Sequence, residues 1–260
     1  MDTQVMQLHQ ARALISGGAS GLGLAVATRI VRAGGIVAIL DTSVAKGVSA
    51  AQSLGEHALF VATDVTDESA VDDAVRRSLG FLGEINAAVN CAGTFKATRL
   101  VGKAGPMTGE AFREVVEINL VGTVLMVKAA TSAMQLNAPN AQGQRGVIIM
   151  TASIAAFDGS IGQVAYAASK GAIVAMTLPM ARELASSGIR VMTIAPGPFA
   201  TPMVQQWPLE AQNALGKQIP FPSRLGNPDE FAALVEHILV NPMLNGETIR
   251  IDGAIRLQAR

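Results

Sequence analysis

Residues Arg12–Arg32, RALISGGASGLGLAVATRIVR, decide the fold. A short apolar segment, Arg12 to Ser16, runs straight into Gly17, Gly18, Ala19, Ser20, Gly21, Leu22 and Gly23, and a helix-like run then continues to Arg32. Glycines let the backbone approach a ligand closely, and the open N–H groups at a helix start favour negative charge. A pyrophosphate suits such a turn. The spacing Gly17, Gly21, Gly23 differs from the commoner G-x-G-x-x-G fingerprint, and a glycine triple alone also fits an ordinary tight turn.

Working outward, the same alternation recurs. Apolar runs at Ile36–Leu40, Ala58–Ala62, Ile85–Val89, Val147–Met150, Ile189–Ala195 and Thr248–Ile251 read as strands. Helical patterns fall at Asp67–Leu79, Glu110–Leu136, from the Tyr166 region to Leu184, and at Pro228–Val240. Pro179 lies inside one of them, where a kink or break is expected. Strands alternating with helices imply an α/β fold, a doubly wound, seven-stranded parallel sheet with helices on both faces. One domain over residues 1–260 is expected. The segment Pro198–Gly226 holds Pro198, Pro202, Pro208, Pro220, Pro222 and the sole tryptophan, Trp207. It is too long for a plain connection and reads as a lid over a ligand.

Composition narrows the function classes. The 260 residues are 50% hydrophobic, enough for a large core, and the formal net charge is zero, so no global field draws nucleic acid or an anionic membrane. A single cysteine, Cys91, forms no internal disulfide and suits a reducing compartment. The opening MDTQVMQLHQAR has neither a basic stretch nor an apolar core, and no uninterrupted apolar run approaches the length of a bilayer span. These features lead to an expectation of a cytoplasmic protein. His9, His57 and His237 have no metal-ligand spacing and read as surface or packing residues.

Several strand ends carry candidate binding residues. Asp41, at the end of the second run, can accept hydrogen bonds from both ribose hydroxyls of an adenosine and repels a 2′-phosphate, which favours NAD over NADP. No Arg or Lys lies in the glycine loop or at positions 42–45 to welcome that phosphate. Asp41 also suits a helix cap. Asp64 and Val65 could meet an adenine, with Asp64 equally able to serve a turn. After the fourth run come Asn90, Cys91, Ala92 and Gly93, with Cys91 better suited to packing than to nucleophilic attack. Asn119 sits among Ile118, Leu120 and Val121, where an amide needs partners, either as structural glue or in a relay.

The chemistry points to Thr151–Thr177, TASIAAFDGSIGQVAYAASKGAIVAMT. Tyr166, the only tyrosine, and Lys170 are one helical turn apart on one face. A nearby ammonium would lower the phenol's pKa and make it a usable acid and base. Ser153 follows a strand, where its hydroxyl could polarise a carbonyl. Tyrosine and lysine at this spacing are also found simply packed and solvated, so the surrounding motifs decide.

Taken together, Gly17-x3-Gly21-x-Gly23, Asp64, Asn90-x-Ala-Gly93, Asn119, Ser153, Tyr166-x3-Lys170 and Pro196-Gly197 resemble the short-chain dehydrogenase/reductase family from Leu14 nearly to the end. The GQRGVII, PFPSRLG and NGETIRIDGAIR segments are similar to its 3-hydroxyacyl-CoA dehydrogenase type 2 (17β-hydroxysteroid dehydrogenase type 10) subgroup. Ser16 and Cys91 depart from the residues many members carry there. The resemblance implies a Rossmann-type fold, a homotetramer, and NAD along Gly17, Ser20, Gly21, Leu22, Gly23, Asp41, Asp64, Val65, Asn90, Cys91, Ala92 and Gly93. Pro196, Phe199 and Thr201 would lie near the carboxamide half, and Lys170 would hold the nicotinamide ribose beside Tyr166.

It further implies that Tyr166 takes the substrate proton, Ser153 steadies the carbonyl, Lys170 tunes the phenol and Asn119 positions a relaying water. The substrate so implied is a 3-hydroxyacyl-CoA, whose phosphates could meet Lys96, Arg99 and Lys103 if those cations are not simply solvated. Rival readings are a hydroxysteroid or secondary alcohol dehydrogenase, with Met192 and Met203 adapting to apolar ligands, a 3-oxoacyl-ACP reductase, and an idle NAD-binding scaffold.

Overall fold

Each apolar run pairs with a neighbour into a layer buried on both sides, as the near-continuous Val, Ile and Ala content of the strands requires. The computed structural model describes residues 5–103 and 105–259. Residues 1–4, where the stretch read for a leader begins, and residues 104 and 260 of the expected domain lie outside the described residues. In chain order come β1 (Arg12–Ser16), α1 (Gly21–Arg32), β2 (Ile36–Asp41), α2 (Val44–Leu54), β3 (Ala58–Ala62), α3 (Glu68–Leu82) and β4 (Ala87–Asn90). A small antiparallel pair, β5 (Val101–Gly102) and β6 (Gly105–Pro106), precedes α4 (Gly109–Val116) and α5 (Gly122–Met134). Then follow β7 (Gly146–Thr151), α6 (Ala155–Asp158), α7 (Val164–Leu184), β8 (Ile189–Pro196), α8 (Pro202–Gln205), α9 (Leu209–Lys217), α10 (Pro228–Val240) and β9 (Thr248–Ile251).

The sheet is seven-stranded and parallel, in the order β3-β2-β1-β4-β7-β8-β9. Successive side chains alternate between two cores. Ala13, Ile15, Val37, Ile39, Val147, Ile149 and Ile194 pack with α1 and α10. Leu14, Ala38, Leu40, Ile148, Met150 and Val191 pack with α3, α5 and α7 on the opposite face. The direction of winding reverses between β1 and β4, so a crevice opens at their carboxyl ends.

Two helices differ from the periodic reading. The helix expected over 110–136 is interrupted by a π turn, Glu117–Val121, closed by a bond from Gly122 N–H to the Glu117 carbonyl. Such turns recur at functional sites, and Asn119 lies in this one. Pro179 does not break α7, which runs on to Leu184. Pro179 and Ala175, whose carbonyl loses its helical partner, both face solvent, and water can replace the missing N–H. The stretches Gly109–Met134 and Val164–Ser187 also match a bilayer in length and mean hydropathy, contrary to what uninterrupted apolar runs suggest. Alanines, glycines and methionines raise the average, and both stretches bury one side against the fold.

Candidate active site

The floor of the crevice is backbone. Gly17 and Gly21 have φ of +63° and +55°, left-handed values that glycine adopts freely. A Cβ on Gly17 would lie 2.6 Å from Ala92 N, and one on Gly23 would lie 2.4 Å from the Gly17 carbonyl oxygen, so the loop, the end of β4 and α1 touch directly. Ser20 makes no side-chain cap to α1, leaving first-turn N–H groups available to an anion.

Around this floor is a cleft of about 800 Å³ whose walls include Asp41, Asp64, Val65, Thr151, Tyr166 and Thr201. Size, glycine cradle and open donors together fit a dinucleotide. The Asp41 carboxylate is held in place as an acceptor, taking hydrogen bonds from Ala19 N (3.2 Å) and Ser43 N (3.0 Å). Asp64 accepts from both the backbone and the hydroxyl of Thr66, at 2.9 and 2.8 Å, so it also serves its own turn.

Every cofactor-binding residue expected from the sequence lines the cleft except Asn90. Asn90 is 3% exposed and stands behind the lining, with both ends of its carboxamide lacking a partner among the described residues. Cys91 does line it, as a packed thiol: burial pushes its pKa up to about 11, and it accepts a hydrogen bond from Thr151 Oγ1 at 3.6 Å. Phe199 is buried against Phe231 with ring centroids 6.4 Å apart, held by the bridge between Phe199 and Gly226.

The catalytic candidates converge on one wall. β7 delivers Ser153, buried and accepting from Ala155 N at 3.1 Å, and α7 delivers Tyr166 and Lys170. Lys170 Nζ donates to the Thr151 carbonyl at 2.8 Å and stands 5.8 Å from the Tyr166 ring centroid. The expected downward shift of the phenol is corrected here. Burial raises the Tyr166 pKa above its ordinary 10.0, while the adjacent Ser153 hydroxyl acts in the opposite direction. Burial also depresses Lys170 from 10.5 to about 8, against a smaller upward pull from the neighbouring Cys91. Ser153, Tyr166 and Lys170 thus share one dehydrated wall, where burial opposes the charged form of both the phenol and the amine.

Asn119 is fully buried and does not line the cleft. Its carboxamide accepts from Thr94 N (2.7 Å) and donates to the Thr94 carbonyl (3.0 Å) and Ser169 Oγ (3.1 Å). The side chain is thus spent on pinning the loop after β4, and any water it positions would have to meet its backbone.

Phe95 was not anticipated. Its ring meets Tyr166 edge-on at 5.1 Å and Trp207 at 6.5 Å, linking the phenol to the lid. It lies in an irregular loop with no periodic signal. Met203 lines the cleft, but Met192 is wholly buried in the core beneath β8, so it contributes nothing to ligand adaptation. Its place in the alternation along β8 turns it toward the core shared with α10 rather than toward the crevice. Of the three cations proposed to meet phosphates, Lys96 is paired with Glu114, while Arg99 and Lys103 are exposed. Among the described residues no His, Cys, Asp and Glu cluster could hold a metal.

A family model described as short chain dehydrogenase matches residues 11–212. A 3-hydroxyacyl-CoA dehydrogenase type-2 from Homo sapiens is 50% identical over 248 residues, covering 95% of this chain and 95% of its own. The crystal structure of a 3-hydroxyacyl-CoA dehydrogenase type-2 from Mycobacterium avium superposes with a TM-score of 0.93 at 39% identity, covering 100% of both chains. A 3-ketoacyl-(acyl-carrier-protein) reductase from Brucella melitensis, complexed with NADH, gives a TM-score of 0.84 at 30% identity over 94% of this chain and 98% of its own.

Proposed function

Since the chain belongs to the short-chain dehydrogenase family and is an oxidoreductase working with a nicotinamide cofactor, we propose that it interconverts a 3-hydroxyacyl-CoA and its 3-oxoacyl-CoA using NAD. Substrates branched by a methyl at C2 fall within this class. The convergence of Ser153, Tyr166 and Lys170 on a cleft whose walls also present Asp41 carries the reading. The similar proteins named as 3-hydroxyacyl-CoA dehydrogenases support the substrate class. The fixed Asp41 acceptor supports NAD, since a 2′-phosphate would meet a like charge there.

The bound cofactor supplies hydride acceptance and return. The chain supplies the rest. The Tyr166 hydroxyl exchanges the proton of the substrate oxygen and the Ser153 hydroxyl donates to that oxygen as it becomes a carbonyl, with the Lys170 amine anchored on the Thr151 carbonyl beside the phenol. Phe95 holds the phenol ring from its edge, and the segment 198–226 closes the cleft as the lid of a single domain, 1–260. Arg99 and Lys103 are the exposed cations available to the CoA phosphates. In this reading the protein is a cytoplasmic homotetramer with neither nucleic acid nor membrane as partner; sedimentation and cell fractionation measure both.

The apolar wall of Phe95, Met203, Trp207 and Leu215 favours a second reading, a hydroxysteroid or other secondary alcohol dehydrogenase. Side-by-side turnover of 3-hydroxyacyl-CoAs, the acyl carrier protein analogue and hydroxysteroids, each with NAD⁺ and NADP⁺, separates them. The acyl-CoA with NAD⁺ is expected to give the highest kcat/KM, and Asp41→Ser to move the NAD⁺/NADP⁺ preference about tenfold toward NADP⁺. A steroid preferred over every acyl-CoA sinks the substrate assignment. Absence of turnover with all of them leaves a scaffold.

A further inference from the structure

Beyond β9 the chain turns back toward the catalytic wall. Gly253 and Ala254 are both left-handed, with φ of +59° and +68°, and Ala254 is the sole non-glycine residue in that region among the described residues. Alanine resists this conformation, so other contacts must hold the turn. Asp252 Oδ1 accepts from Ala254 N at 2.9 Å, and Ile255 N donates to the Asp252 carbonyl at 3.2 Å.

Arg250 acts as the buckle. Its Nε donates to Asp252 at 2.8 Å, its two Nη groups reach Asp158 of α6 at 3.3 and 2.6 Å, and Nη2 also donates to the Ile255 carbonyl at 3.2 Å. The guanidinium lies over the Phe157 ring at 5.2 Å, and the side chains of Arg250, Asp158 and Asp252 are only 22%, 18% and 9% exposed. A clamp this shielded from water holds geometry better than a surface pair.

The turn delivers Ile255 into a small core of its own with Ile154, next to Ser153, and Ile219, at the end of the lid helix α9. Leu257 packs on that cluster and lines the cleft. Further stitches hold the segment on both sides. Phe221 N donates to the Gly253 carbonyl at 3.3 Å, Ser160 Oγ to the Gln258 carbonyl at 2.6 Å and Ile161 N to the Ala259 carbonyl at 3.1 Å.

We propose that residues 252–259 are a positioning strap, buckled by Arg250, which couples the lid to the Ser153 wall and contributes Leu257 to the acyl-binding surface. The kinetic part rests on the oxidoreductase reading above; the mechanical part does not. Ile255 moves only with Ile154 and Ile219 because all three share one close-packed cluster. Displacing the strap therefore loosens the lid and shifts the serine hydroxyl relative to the phenol, while the glycine floor keeps its contacts.

Arg250→Lys keeps the charge and removes the forked geometry. With the best wild-type substrate, kcat is expected to fall about tenfold, since small misplacements of reacting groups are costly. The Kd for NADH, from fluorescence titration, should stay within about twofold. Native-state trypsin cleavage after Lys217 and Arg224 should quicken about fivefold. Leu257→Ala should raise KM for the acyl substrate severalfold at unchanged kcat. Ser160→Ala replaces Arg250→Lys should circular dichroism show that variant unfolded. Arg29→Gln, which breaks an ion pair between α1 and α10, is the stability control and should leave lid cleavage at the wild-type rate. A folded Arg250→Lys with unchanged cleavage, or an equal acceleration in Arg29→Gln, overturns the strap. A loss confined to NADH affinity does so too. If the wild type turns nothing over, the functional reading falls separately and the cleavage rates alone decide.

Discussion

On the floor of the cleft, Gly17 and Gly23 stand so close to Ala92 and to Gly17 itself that a methyl group would lie at 2.6 and 2.4 Å. On the outer wall, Met203, Trp207 and Leu209 of the lid are 38%, 36% and 69% exposed. The floor is backbone against backbone, anchored to the central strands by bonds such as Cys91 N to the Ser16 carbonyl at 3.0 Å. The lid meets the rest of the fold through side chains, Phe199 against Phe231, Trp207 beside Phe95, and Ile219 with the tail. In the proposed reaction the group common to every turnover would be met by atoms with no freedom, and the part of the substrate that varies by side chains that can move. The catalytic trio lies on the seam between these regions.

The sharpest way to break this division is Tyr166→Phe. It removes the proposed proton carrier at the seam without touching the floor, so kcat should drop by about three orders of magnitude. NADH affinity, read by fluorescence, should be unchanged; a parallel loss of binding would mean that floor and seam are one unit. Gly23→Ala attacks the floor alone. Backbone lies opposite its new methyl group and cannot step aside, so the expected cost is about 3 kcal/mol, a lower Tm and weaker NADH binding.

A pair of methionines sharpens the comparison. Met192→Ala empties space in the core and should cost about 2–4 kcal/mol in urea unfolding while leaving KM unchanged. Met203→Ala should leave the Tm within a degree or two of the wild type and change KM for the bulkiest apolar substrates severalfold. Stability loss at Met203 would show that the lid is part of the core.

The smallest effect is electrostatic. Lys170 titrates at about 8 in the fold and near 10.5 when unfolded, so between these values the unfolded chain binds the extra proton. Unfolding then takes up protons, and the stability difference between wild type and Lys170→Met should move in favour of the wild type as pH rises from 8 towards 10.5. Tyr166 and Cys91, both raised, act in the opposite sense above their ordinary values, but both remain in the variant. Urea titrations at pH 8 and 10 measure the difference, and a change in the other direction would remove the buried-ammonium account.

Local pattern made much of this legible. The strand runs at Arg12–Ser16, Ala58–Ala62 and Thr248–Ile251 fall at the observed boundaries because strands buried on both faces stand out as short, near-continuous apolar runs. Helix α3 runs three residues past its expected end, and β4 starts two residues later than the apolar run, since ends are settled by caps and pairing. Ser153, Tyr166, Lys170, Asp41 and the glycines were recognisable for the same local reason: each sits at a strand end or one helical turn from its partner. Asn119 among apolar neighbours already called for partners, and the structure supplies them as glue, whereas Phe95 and the burial of Met192 left no such trace.

From the order of its residues alone this chain determines which segments become strands and helices, where the glycines open the backbone to close approach, and which hydroxyl, phenol and amine are the candidates for the chemistry. Those depend on spacing within one or two elements. The tertiary structure alone decided that burial raises Tyr166 and lowers Lys170, that Phe95 braces the phenol against the lid, and that the last turn buckles through Arg250 to the catalytic wall. Desolvation is a sum over every surrounding atom, and contacts between residues a hundred positions apart exist only once the sheet has brought them together.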